Sequence, residues 1–70
     1  MQPLSLTRQG EVCTIKWMFG VPEALRAMRE MNIQEGRTVR VVRKYRDCLV
    51  LGVDERRVVI GNEIAERIQV

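Results

Sequence analysis

The apolar positions of this chain change period several times, and each change marks an element. From Gly10 the run Glu-Val-Cys-Thr-Ile-Lys-Trp-Met alternates in character. Period two over that length predicts a half-buried strand, with Cys13 and Ile15 inward and Lys16 in water. Trp17 or Met18 takes the next inward place if a bulge intervenes near the strand end. Gly20-Val21-Pro22 breaks the strand. Proline suits the first turn of a helix, where its missing N–H leaves no bond unmade, and Glu23 is favourable at the positive end of the helix dipole. Ala24 through Met31 is rich in strong helix formers. Leu25, Met28 and Met31 share one face, while Arg26, Arg29 and Glu30 fall on the wet side. Asn32 tolerates the left-handed conformation that stops a helix.

Period two then returns. Ile33 is an anchor after the helix, and Gln34-Glu35-Gly36 is a turn in which Gly36 supplies positive φ. Thr38 to Lys44 alternates again, with Val39 and Val41 inward and Arg40 and Lys44 outward. Leu49, Leu51 and Val53 form the inward face of a third strand, Asp54-Glu55 a tight turn, and Val58 with Ile60 the inward face of a fourth. Gly61-Asn62 begins a short helical turn through Glu66, with Asn62 as its cap. Ile68 and Val70 form a closing strand. Ahead of all this, residues 1–9 are a lead-in anchored by Leu4 and Leu6. Five short strands and one helix after the first strand predict a mainly β fold, a small antiparallel barrel formed by residues 1–70 as one domain. Closing such a sheet hides edges that it would otherwise expose.

Composition narrows the function. The chain has 70 residues, so its single core leaves no room for a buried site holding both substrate and cofactor. It has one Trp, one Tyr and one Phe, so that core is aliphatic. There is no histidine, which removes the commonest general base and the commonest metal ligand. The only serine is Ser5. Neither G-x-x-x-x-G-K-[ST] nor G-x-G-x-x-G occurs. No acid/base pair with a pocket can be assembled, so an enzyme is not expected, and no cofactor is assigned. Cys13 and Cys48 fit no C-x-x-C spacing and read as reduced side chains.

The formal net charge is +3, and ten of the twelve cations are Arg. The positive surface is therefore built from guanidinium groups, suited to bidentate carboxylate or phosphate contacts. No apolar run approaches a membrane span, so direct membrane insertion is not expected. The first residues lack a basic and apolar secretory pattern, which makes the cytoplasm the default address; nothing in the sequence sets the oligomeric state, and a monomer is the default.

The order of anchors resembles the ferrous iron transport protein A (FeoA) family. The family's leucine pair and Gly-Glu match Leu4, Leu6, Gly10 and Glu11. Its helix end and turn match Met31-Asn32-Ile33-Gln34-Glu35-Gly36, and its Val-rich strand matches Val39-Arg40-Val41-Val42. Its close matches Val58, Ile60, Ala65, Ile68 and Val70. Asn32 stands at a usual Gly, Glu35 at the usual turn Pro, Cys48 at a frequent Pro and Glu55 at a common Gly. The segment Lys44 to Asp47 is shorter than many family loops. The resemblance implies a small SH3-like barrel. It also implies an accessory or regulatory role beside a FeoB-type ferrous iron transporter, by docking on that transporter's cytoplasmic GTP-binding part. Fold relatives include the C-terminal domain of DtxR-type metal-dependent repressors, which implies a nucleic-acid-binding or metal-responsive regulator as the alternative.

Candidate site residues follow. Arg37, Arg40, Arg43, Lys44 and Arg46 lie in one stretch, with Arg56 and Arg57 on the next hairpin, where strand pairing could gather some of them. Glu35, Asp47, Asp54 and Glu55 dilute their field, so nucleic acid is disfavoured against a protein partner. Trp17 is a docking anchor if exposed. The residues expected to meet a partner are Trp17, Arg26, Arg29, Arg40, Arg43, Arg56 and Arg57. Met28 and Met31 are expected in the core. No metal site is assigned: Asp54 and Glu55 point to opposite faces, and Glu63 with Glu66, one helical turn apart, lack supporting ligands.

Overall fold

A computed structural model describes residues 1–70. A 3₁₀ turn, Leu4–Leu6, leads into strands β1 (Val12–Thr14) and β2 (Trp17–Met18), then helix α1 (Pro22–Glu30). Strands β3 (Thr38–Lys44), β4 (Cys48–Val53) and β5 (Arg56–Gly61) follow. A single turn of helix, α2 (Asn62–Ala65), precedes β6 (Ile68–Gln69). One antiparallel sheet has the order β1-β3-β4-β5 and the other pairs β2 with β6.

The expected first strand exists, but it changes partner in mid-course. The Ile15 N–H donates to the Arg37 carbonyl at 2.9 Å, on the β3 side. The next N–H, of Lys16, donates to Gln69 at 2.8 Å, on the β6 side. Consecutive amides of an extended chain point in opposite directions, so a strand crossing from one sheet to the other bonds to both. Counting β1 and β2 as one bent strand gives the five expected strands of a small barrel. No ladder joins β5 to β6; α2 connects them and packs on β4, β5 and the 3₁₀ turn.

The core is aliphatic, as the composition requires. Leu49, Leu51 and Val53 of β4 are all fully buried against Val39, Val41 and Ile60. Burial of side chains of this size stabilises by about 1.5–3 kcal/mol each. Helix α1 contributes Met28, with Leu25 and Met31 partly buried. Its end is held by two backbone bonds, Ile33 N–H to Met28 at 2.9 Å and Asn32 N–H to Arg29 at 3.0 Å. Asn32 takes φ of 63° there, the left-handed residue of a Schellman cap, and Ile33 meets Met28 in the core.

Three expectations are corrected. Leu4 is buried but Leu6 is exposed, because one 3₁₀ turn cannot aim both side chains at the core. Lys44 is half-buried rather than outward. The ladder slips by one residue between Val41 and Arg43, so Lys44 faces Leu49 instead of alternating with Arg40. Its ammonium donates to the carbonyls of Ser5 at 2.9 Å and Thr7 at 2.6 Å. Asn62 does not cap α2; Gly61 precedes the helix without a side-chain bond. The Asn62 amide instead donates to the Arg46 carbonyl at 2.8 Å and steadies the β3–β4 turn.

Candidate docking surfaces

Two separate faces carry the exposed chemistry. The first is aromatic. Trp17 and Phe19 flank buried Met18, and period-two alternation places both rings on the outside. Their centroids lie 5.0 Å apart with the planes tilted by 31°. Trp17 is 52% exposed, Phe19 40% and Val21 58%, an uncovered apolar run leading into α1. β6 holds this segment from one side: Trp17 pairs with Gln69, and the Phe19 N–H donates to the Arg67 carbonyl at 3.1 Å. Three neighbouring bulky apolar groups in water mark a binding surface more often than scattered single ones do. Arg26 and Arg29 stand on the exposed side of α1, which starts immediately beyond Val21.

The second face is cationic and lies on the outside of the four-stranded sheet. Val12 faces Arg40, Arg40 faces Gly52, and Gly52 faces Arg57, a single row across four strands. Arg40 and Arg57 thus flank a glycine, with their Cα atoms two strand spacings apart, about 10 Å. The next outward row is Arg43, Val50 and Val59. Arg40 and Arg43 are three residues apart and would occupy opposite faces of a regular strand. The slip at Val42 brings both to the outside. Arg57 takes the same face, whereas Arg56 pairs with Val53 and has the opposite parity at the hairpin end. None of these arginines has an acidic partner. The chain's only ion pair joins Arg37 to Asp54 at 2.6 Å.

The seven residues expected to meet a partner therefore divide into groups. Arg40, Arg43 and Arg57 come together on one sheet. Trp17 lies on the other sheet, and Arg26 with Arg29 on the helix. Arg56 stands apart. Phe19 and Val21 escaped the sequence reading, although alternation through Trp17-Met18-Phe19 carried the signal for the ring pair.

No cleft opens in the surface, and no three Cys, Asp or Glu side chains converge. Both cysteines are free. Cys13 pairs with Val39 and Cys48 with Gly61, on strands separated by β3. Burial pushes the Cys13 thiol up, and the Glu11 charge and hydrogen bond push it further. It therefore holds its proton at neutral pH, when a soft-metal ligand or nucleophile would have to shed it. No helix is long and apolar enough to cross a membrane.

Comparison with known proteins places this geometry. The family model described as the FeoA domain matches residues 2–70. No curated protein matches the chain. Among solved structures, an iron uptake regulatory protein (FeoA) is 24% identical with a TM-score of 0.87, covering 94% of this chain and 89% of its own. The FeoA protein from Chlorobium tepidum is 17% identical with a TM-score of 0.90, covering 97% and 67%. A manganese-dependent transcriptional repressor is 23% identical with a TM-score of 0.84; 96% of this chain is covered but only 39% of the repressor. At these identities the likeness shows the fold, a small SH3-like one.

Proposed function

This chain belongs to the FeoA domain family, which ties it to ferrous iron transport, and from that premise we propose that it is a cytoplasmic accessory protein that docks on the GTP-binding part of a FeoB-type transporter. The carrying observation is the exposed Trp17–Phe19 pair beside Val21. A rigid aromatic pair offers a large contact area at low entropic cost, the character of a binding hot spot. Arg26 and Arg29 would supply polar contacts at its margin. Regulation follows if the surface binds one conformational state of the transporter better than the other, since equal affinity shifts no equilibrium.

The test is titration of the chain with the transporter's isolated cytoplasmic domain, empty, GDP-bound and bound to a non-hydrolysable GTP analogue. Affinity that depends on nucleotide state and falls with Trp17→Ala supports the reading. No binding in any state, or binding indifferent to Trp17, rejects it.

The unpaired set Arg40, Arg43 and Arg57 supports a second reading, a regulator that contacts nucleic acid phosphates. It requires affinity for DNA or RNA that falls steeply with salt, with a slope set by the phosphates neutralised. Weak, salt-insensitive binding would reject it.

A further inference from the structure

The edge of β5 is complementary to itself. β4 pairs with β5 on one side only, and nothing pairs with the other. The Asn62 N–H donates to the Asp47 carbonyl at 3.1 Å, which makes these two a hydrogen-bonded pair one step beyond Cys48 and Gly61. Hydrogen-bonded and non-bonded pairs alternate along an antiparallel ladder. Counting back from Asn62, Ile60, Val58 and Arg56 bond to β4, while Val59 and Arg57 turn their N–H and C=O groups away from it. No other backbone or side chain bonds to these outward groups of Val59 and Arg57. The strand has no proline or bulge to blunt it, and Val59 is 66% exposed.

Charge then selects the occupant. The Arg57 and Val59 side chains lie on the outer face, as would any side chain at Gly61. Gly61 has none, and the Glu63 carboxylate lies over its place: a Cβ there would come within 3.1 Å of Oε1. Glu63 has no ion-pair partner within the chain. Along the outer edge the order is therefore guanidinium, valine, carboxylate.

We propose that β5 pairs antiparallel with β5 of a second copy of this chain about a two-fold axis at Val59. Val59 then faces the partner's Val59, and the two exchange N–H···O=C bonds. Arg57 faces Gly61 of the partner, where the missing side chain leaves room to reach the partner's Glu63. The symmetry repeats this ion pair on the other side. The two sheets become one continuous eight-stranded sheet. Charge also fixes the register. An axis at Arg57 would set guanidinium against guanidinium, and an axis at Gly61 would crowd carboxylate against carboxylate.

Sedimentation velocity and concentration-dependent amide spectra of the full chain test the proposal. The expected result is a reversible dimer with dissociation constant in the range of about 1 µM to 1 mM, as befits a small interface. Its amide shifts should centre on Arg57–Gly61. Arg57→Glu and Glu63→Arg should each raise the dissociation constant by about tenfold or more, through like-charge contact. The double variant, R57E with E63R, should restore dimerisation. Thermal melts of the single variants check that they fold; Val59→Lys, which sets two ammonium groups at the axis, is the independent probe. A chain that stays monomeric to about 1 mM, a dimer indifferent to R57E, E63R and V59K, or a double variant no better than the singles would overturn the proposal.

Discussion

The ammonium of Lys44 lies 2.6 Å from the carbonyl oxygen of Thr7, and 2.9 Å from that of Ser5. The bonds tie the end of β3 to the middle of the lead-in segment, which Leu4 anchors in the core and backbone bonds from Gln2 and Gly10 hold at its two ends. The Thr7 hydroxyl, itself buried, donates to the Leu4 carbonyl at 2.6 Å and tightens the same turn. Lys44→Met keeps the aliphatic stem and removes only the charge-assisted bonds. It should destabilise the fold by about 1.5–3 kcal/mol, read from urea unfolding. An unchanged midpoint would show that water replaces the ammonium without loss.

Gly36 offers a cleaner backbone measurement. Its φ is +90°, and a Cβ built there would meet nothing within 4 Å. Gly36→Ala therefore adds no clash with a neighbour and carries only the left-handed penalty, about 1–2 kcal/mol. A thermal melt should record that loss, with the fold otherwise unaltered in its amide spectrum.

Cys13 makes stability depend on alkaline pH. Burial, then the Glu11 charge and hydrogen bond, raise its thiol above the ordinary value. As pH climbs past that ordinary value, about 8.5, the unfolded chain releases its thiol proton first. The native chain then binds more protons than the unfolded one, so stability falls until pH passes the raised native value. Below the ordinary value the contribution is full and constant. Cys13→Ala should remove this share of the alkaline slope, measured by urea unfolding on either side of the window.

Trp17 separates binding from folding. It is 52% exposed, and its loss should cost the fold less than about 1 kcal/mol. As a hot-spot anchor its truncation should weaken docking by about 30-fold, equivalent to roughly 2 kcal/mol. Phe19→Ala should show a smaller loss of the same kind. The partner titration and a melt of each variant give both numbers.

Most of the architecture was legible because its signals are local. Period two marked β3, β4 and β5, since each buries one face against a common core. Pro22 and Asn32 bracketed the helix by conformational preference, and Glu23 marked its start by charge. Three features lay outside such reasoning because they depend on partners distant in sequence. The bent first strand passes from β3 to β6 at successive amides, those of Ile15 and Lys16. The slip at Val42 reverses the parity of everything after it on β3, which turned Lys44 inward and Arg43 outward. The row from Arg40 through Gly52 to Arg57 exists only through registers that no single segment encodes. For the aromatic face the signal is the alternation of Trp17, Met18 and Phe19 itself, which a bulge at Trp17 or Met18 would have interrupted.

β6 lies between the first residues and β2: Gln69 bridges to Pro3 and pairs with Trp17, while Gln2 and Val70 exchange backbone bonds. β2 is two residues long and pairs with no other strand, so the short β6 supplies the whole ladder of the segment that carries Trp17. Fraying of β6 would therefore loosen the backbone that carries Trp17 and Phe19. The aromatic face thus depends on a strand far along the chain from the residues that form it.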